Sequence, residues 1–249
     1  MGLLPVEPSQ FALAAGMIFI AYCVFGVSAF GSGLVAIPVL THLWPLSFIL
    51  PIMVLLDCAA SGLVALRQRR HAAWRELAYF LPITLIGLIG GVVLLVNLPP
   101  GASMLGLGVT VVVFGLWSLA RHASTGRVSI GWAVPAGLLS GVASGVFGVG
   151  GPPSVLYLAG RVRDKTALRA TLATTLVFSV VVRIALFGSF GVMGRDNIVL
   201  AVLLLPFAFA GLWIGSRVHL KLSREQFARF VAGLVIVSGL SLVIRALAF

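Results

Sequence analysis

Phe147-Gly148-Val149-Gly150-Gly151-Pro152-Pro153-Ser154 breaks a run of sequence that is otherwise apolar from residue 130 to 160. A weaker copy, Phe30-Gly31-Ser32-Gly33-Leu34-Val35-Ala36-Ile37-Pro38, stands 117 residues earlier inside the apolar run 11–43. Glycine and proline interrupt helices, and at membrane depth such interruptions are tolerated only where the freed backbone groups are buried in protein or line a cavity. Two breaks in corresponding positions of a chain's two halves therefore predict a shared path for a solute.

Composition fixes the solvent. Hydrophobic residues make up 60% of the 249, charged residues only 9%, and mean hydropathy is +1.16; a soluble domain carries about 25% charged residues. The chain reads as an all-α polytopic membrane protein. Its formal net charge of +11 does not point to nucleic acid, because the basic residues lie in short clusters between apolar segments and form no basic face or binding motif. Cys23 and Cys58 fall inside apolar runs, while His42, His71, His122 and His219 fall in loops or at helix ends. Neither set has metal-ligand spacing, so no metal or cofactor is expected. No Ser-His-Asp or paired-carboxylate arrangement stands at catalytic spacing, which argues against an enzyme. Residues 31–36 have the outline of a dinucleotide fingerprint but follow no strand, and no nucleotide-binding motif supplies ATP drive from this chain. Residues 1–8 contain no Lys or Arg and no cleavage site follows, so the first apolar run is expected to stay in the fold.

A helix needs about 20 apolar residues to cross a bilayer. Six stretches qualify, 47–66, 77–96, 103–121, 168–187, 198–218 and 230–249; the two interrupted regions bring the hydrophobic segments to eight. Each interrupted region is either a full helix followed by a half helix or a re-entrant hairpin. Lys/Arg placement discriminates between these, since short cytoplasmic loops are enriched in both residues. If all eight regions cross, the basic loop residues divide seven against eight. If the interrupted regions are re-entrant, the loops around 67–75, 121–127, 161–169 and 217–229 share one side with fourteen Lys/Arg, and Arg195 alone faces the other. The count favours hairpins, with Arg183 and Arg245 near helix ends where they can snorkel; the alternative role for Arg183 is to attract anions at the external mouth.

Each half then holds one hairpin and three crossings, an odd number, so the second half is expected to be inverted relative to the first. Gly87-Leu88-Ile89-Gly90-Gly91 and Gly211-Leu212-Trp213-Ile214-Gly215 repeat at an offset of 124, as do Pro82 and Pro206, Gly115 and Gly239, and Arg121 and Arg245. The expected organisation is an N-terminal segment 1–10, a first transmembrane repeat 11–122, a polar linker 123–129 and a second transmembrane repeat 130–249.

An apolar stretch ending in a Phe-Gly-x-Gly-Gly type of break once per half, with a proline-containing short helix after it and the basic loop 67–75, resembles the sulfite exporter TauE/SafE family, also called the 4-toluene sulfonate uptake permease family. The resemblance covers essentially the whole chain. It departs in detail: the first copy reads Gly31-Ser32-Gly33-Leu34, and the second follows Gly150-Gly151 with Pro152-Pro153. The resemblance implies a transporter of sulfite, sulfonates or related small sulfur-containing or organic anions in the bacterial inner membrane. The competing classes are an anion channel and a non-transporting membrane subunit of a larger assembly. Whether copies of the chain form a homo-oligomer is left open.

Beside the resemblance, the residues themselves point to anions. A helix that begins inside the membrane presents unpaired N–H groups and a dipole end equivalent to about half a positive charge. The substrate-binding candidates are therefore Gly31, Ser32, Gly33 and Leu34 at the first break and Gly148, Gly150, Gly151 and Ser154 at the second. Pro38, Pro152 and Pro153 are structural. First-turn prolines preset helical geometry but donate nothing, so the first break is expected to supply more donors, through Ser32, Gly33, Leu34 and Val35. The alternative role for these glycines is close helix packing.

Asp57 is the one acid well inside an apolar segment, where a charge costs about 2.5–3.5 kcal/mol on insertion scales. It is the proton-coupling candidate, the alternative being a hydrogen-bonded packing role through Ser61. Thr171, Thr174 and Thr175 share a helix face, with Thr174 standing 117 residues after Asp57. They are candidates to line the pathway, or else bond back to their own helix. The implied partners are the anion, protons and the lipid bilayer.

Overall fold

The computed structural model describes residues 6–120 and 128–218, together with 236, 240, 243 and 244. Among these residues all regular structure is helical: α1 (Pro8–Ser28), α2 (Ser32–Leu40), α3 (Leu46–Gln68), α4 (Trp74–Asn97), α5 (Pro100–Ala120), α6 (Ala133–Phe147), α7 (Gly151–Arg161), α8 (Lys165–Ser189) and α9 (Arg195–Val218). The stretches 47–66, 77–96, 103–121, 168–187 and 198–218 correspond to α3, α4, α5, α8 and α9. The stretch 230–249 lies largely, and residues 121–127 wholly, outside the described residues, as do the pairings that involve Arg121, Gly239 and Arg245.

Both interrupted regions are a long helix, a break and a short helix. Among the described residues six helices are long and apolar enough to cross a membrane: α1, α3, α4, α8, α9, and α6 together with the turn Ile130–Trp132 before it. α2 has nine residues and α7 eleven; at 1.5 Å per residue they reach about 13 and 16 Å, half of a bilayer core of about 30 Å.

The breaks are built alike. α1 ends on Ala29 in the left-handed conformation (φ 59°), the one non-glycine with positive φ among the described residues, and Gly31 (φ 94°) then starts α2. α6 ends on Gly148 (φ 73°), and Gly150 precedes an α7 whose first turn contains Pro152 and Pro153. The boundaries repeat at 119 residues, from Ser28 to Phe147, Ser32 to Gly151 and Leu46 to Lys165. The offset of 117 suggested by the two Phe-Gly pairs is therefore corrected by two. The left-handed cap opposite Gly148 is Ala29, and Asp57 corresponds to Leu176 instead of Thr174.

Each short helix turns back on the long arm before it. Trp44, just beyond α2, donates from Nε1 to Gln10 Oε1 at the start of α1 (3.2 Å). Val128 N–H donates to Gly160 O in the last turn of α7 (3.4 Å), and Arg161 Nη1 donates to Val128 O (3.3 Å). Each interrupted region thus returns to the end of the bundle where it began, and the two ends are opposite. The first hairpin's base adjoins the start of α3, where Asn197 of α9 donates to Phe48 O (2.9 Å). The second hairpin's base adjoins the far end of α3, where Arg161 pairs with Glu76 at the start of α4 (2.7 Å) and Ala73 N–H donates to Thr171 Oγ1 (2.9 Å). The basic segments around 67–75 and 161–169 share that end, and Arg195 lies at the other.

α3 and α8 are the most buried spans and pack together at the centre. Around them α1 packs on α9, α6 on α4, α2 on α1 and α3, and α7 on α6 and α8. The α1–α9 and α4–α6 seams are backbone to backbone: a Cβ on Gly26 would lie 2.7 Å from Leu212 O, and one on Gly87 2.6 Å from Leu138 O. In lipid, small residues permit such approach and dispersion rewards it. The outer faces carry exposed Ile86, Leu139, Val202 and Trp213, as contact with acyl chains requires.

Candidate functional site

The two breaks touch at the middle of the bundle. A Cβ on Gly33 would lie 2.8 Å from Gly148 O, and one on Gly151 would lie 3.1 Å from the Phe30 ring. Between them is a cavity of about 60 Å³. Its walls include Gly31, Ser32, Gly33 and Leu34 from the first break, and Gly148, Gly150, Gly151 and Ser154 from the second, with Asp57 of α3 and Thr175 of α8. Sequence reasoning missed the serines that complete it, Ser140 and Ser144 of α6 and Ser179 of α8. The available signal was spacing by about one helical turn, which puts two small hydroxyl residues on one face: Ser179 follows Thr175 at that spacing, and Ser144 follows Ser140.

α2 and α7 both present their N-termini to this cavity. The N–H groups of Ser32, Gly33 and Leu34 precede the first helical acceptor. Val35 departs from expectation, because its N–H already donates to Gly31 O (3.2 Å). On the other side Pro152 and Pro153 have no N–H, which leaves Gly150 and Gly151. The Ser154 hydroxyl is committed to the break: it contacts Ser140 Oγ, and the Ser154 and Ser140 hydroxyls reach Gly150 O at 3.2 and 2.5 Å. Among the terminal carbonyls of the long arms, Phe25 O accepts from Ala29 N–H (2.7 Å), Ser144 O from Gly148 N–H (3.0 Å) and Gly26 O from Arg169 Nη2 (2.7 Å). The two half helices thus bring two positive dipole ends to the cavity.

Asp57 is buried near the middle of α3, and its Oδ1 accepts from Tyr22 OH of α1 (2.7 Å) and Ser32 Oγ of α2 (2.8 Å). Ser61 donates to the main-chain carbonyl of Asp57 (2.5 Å) and not to the carboxylate, so the expected Ser61 partnership does not form. Tyr22, a lone polar tip in an apolar run, carried no signal in sequence.

Of the three threonines, Thr175 lines the cavity. Thr171, Thr174 and Thr175 donate to Ala167 O, Ala170 O and Thr171 O (2.6, 2.8 and 2.9 Å), the back-bonding alternative, and Thr171 also accepts from Ala73. Arg183 is corrected more sharply. It does not snorkel: α8 continues to Ser189, and the side chain is 1% exposed, over the Phe187 ring (5.6 Å).

The family model described as Sulfite exporter TauE/SafE matches residues 14–242. The chain is 31% identical over 194 residues to the probable inner membrane transporter protein TsaS of Comamonas testosteroni, spanning 77% of this chain and 81% of that protein. It is 26% identical over 251 aligned positions to the probable sulfite/organosulfonate exporter TauE of Cupriavidus necator, spanning 98% of this chain and 96% of that protein. No solved structure matches.

Proposed function

The chain belongs to the sulfite exporter TauE/SafE family, whose members are membrane transporters and not enzymes, and on that premise we propose that it is a secondary transporter of a small sulfur oxyanion, sulfite or a short sulfonate, across the bacterial inner membrane. The observation that carries the reading is the convergence of two half-helix N-termini on one cavity. A small oxyanion there accepts N–H groups from Ser32, Gly33 and Leu34 on one side and from Gly150 and Gly151 on the other. The cavity of about 60 Å³ offers about four or five water-sized positions. That suits a four-atom oxyanion and falls short of an aromatic ring.

The two halves are inverted repeats in this proposal, supported by hairpins based at opposite ends and by boundaries repeating at 119 residues. Asp57 is the coupling group. An ionised carboxylate beside the anion repels it, so a proton on Asp57 accompanies the anion, and release of both resets the site. The glycine seams favour a particular motion. Rocking of the sequence halves would open α1 from α9 and α4 from α6, so each of these pairs moves as a unit against α3 and α8.

Purified protein in proteoliposomes should exchange labelled sulfite with saturating kinetics and competition by short sulfonates. Flux that rises linearly without saturation would instead mark a channel.

A further inference from the structure

Asp57 and Arg183 are the two charged side chains buried among the described residues. Asp57 lines the cavity; Arg183 does not. A buried guanidinium is retained where its charge is used or fully paired, and Arg183 is not paired: its Nε and Nη2 have no hydrogen-bond partner among the described residues. Its position explains what it faces. Nη2 lies 3.2 Å from where a Cβ on Gly148 would stand, so Gly148, a wall residue, separates the guanidinium from the cavity without a side chain between them. Leu50 and Ile37 crowd the same point with methyl groups, and the Phe187 ring covers another face. Apolar surroundings screen a charge poorly, and its field reaches the cavity with little loss.

We propose that Arg183 is the fixed positive charge that selects anions for the cavity, acting across Gly148, with Asp57 as its internal counter-charge when no anion is present. The proposal rests on the reading of the cavity as the anion site. The half-helix N–H groups give the anion its direct hydrogen bonds, and Arg183 gives the site its net charge. The groups that face Asp57 are Tyr22 from α1, Ser32 from α2 and, through its charge, Arg183 from α8. Of these Arg183 alone is charged. An ionised Asp57 cancels it and leaves a neutral site that does not attract anions. A protonated Asp57 leaves a single positive charge, matched to a monoanion. Anion and ionised Asp57 are thus alternatives for one cation, which is how proton and substrate come to move together.

The test compares Arg183→Lys, Arg183→Gln and the double variant Arg183→Gln with Asp57→Asn, measuring sulfite exchange in proteoliposomes and melting temperature in detergent. Arg183→Lys is expected to keep saturable exchange. Arg183→Gln is expected to raise KM at least about tenfold and to destabilise the protein by leaving Asp57 unbalanced. The double variant removes both charges, so it is expected to regain the wild-type melting temperature while KM stays high. A double variant with wild-type KM would show that Arg183 only balances Asp57, and would overturn the proposal while leaving the transport reading intact. A wild-type protein that exchanges no anion overturns the transport reading itself.

Discussion

Replacing Gly33 by Ala places a methyl group 2.8 Å from Gly148 O and 3.1 Å from Ile37 Cδ1. Carbon–oxygen contacts settle at about 3.3–3.6 Å, so the two breaks must part by roughly 0.5–0.8 Å. The Ile37 methyl can turn away. Gly148 O cannot, because the backbone on either side is fixed by Gly148 N–H on Ser144 O (3.0 Å) and Val149 N–H on Ala143 O (3.2 Å). Overpacking of this kind costs about 1–3 kcal/mol. If the cost falls on the state in which both breaks close on the anion, affinity drops about 5- to 150-fold. The assay is KM for labelled sulfite exchange in proteoliposomes, with melting temperature recorded in parallel. The matched control is Gly62→Ala in α3, where a Cβ meets nothing within 4 Å. The control should exchange like wild type. A Gly33→Ala protein with wild-type KM and normal folding would refute the claim that the anion is held between the breaks.

Three further perturbations probe other parts of the molecule. Asp57→Asn imitates the protonated acid, so KM should be low and independent of pH, whereas in the wild type KM should rise with pH as Asp57 ionises; an unchanged pH dependence removes Asp57 from coupling. Glu76→Gln removes the carboxylate that Arg161 grips with Nε and Nη2 (3.0 and 2.7 Å); because both side chains are partly solvated, the loss is about 1 kcal/mol, read as a melting temperature about 2–4 °C lower. Gly215→Ala drives a methyl group into Cys23 O at the α1–α9 seam and should destabilise the protein by about 1–3 kcal/mol, while Gly90→Ala, facing open space, should be neutral in the same thermal scan.

The spans and breaks were legible because each is written in local chemistry. Apolar length marked α3, α4, α8 and α9, and Gly-Gly-Pro-Pro marked the start of α7. Of the four basic loops, 67–75 and 161–169 meet at one end of the bundle, while 121–127 and most of 217–229 lie outside the described residues. What stayed hidden depends on pairs far apart in sequence. The left-handed cap of α1 is Ala29, and nothing in an alanine announces positive φ, so the breaks were aligned on their phenylalanines, two residues out of register. Tyr22 and Asp57 are 35 residues apart, and Glu76 and Arg161 are 85 apart; neither pairing has a spacing that sequence can show. Arg183 looked terminal because hydropathy falls around Gly188 and Ser189, yet the helix runs on and the side chain is buried beside Gly148 and the Phe187 ring. Thr171, Thr174 and Thr175 fall within one helical turn or so, but of the three Thr175 alone lines the cavity, beside Leu172, Leu176 and Ser179 of the same helix.

The measurement that bears most directly on the anion site is a crystal structure of the protein with selenite, a heavier analogue of sulfite whose selenium can be located by anomalous scattering. One peak is expected in the cavity, within hydrogen-bond reach of the N–H groups of Ser32, Gly33 and Gly151, and it should be lost when excess sulfite is added. A peak elsewhere in the protein, with the cavity between Gly33 and Gly150 empty, would contradict an anion site built from the two breaks.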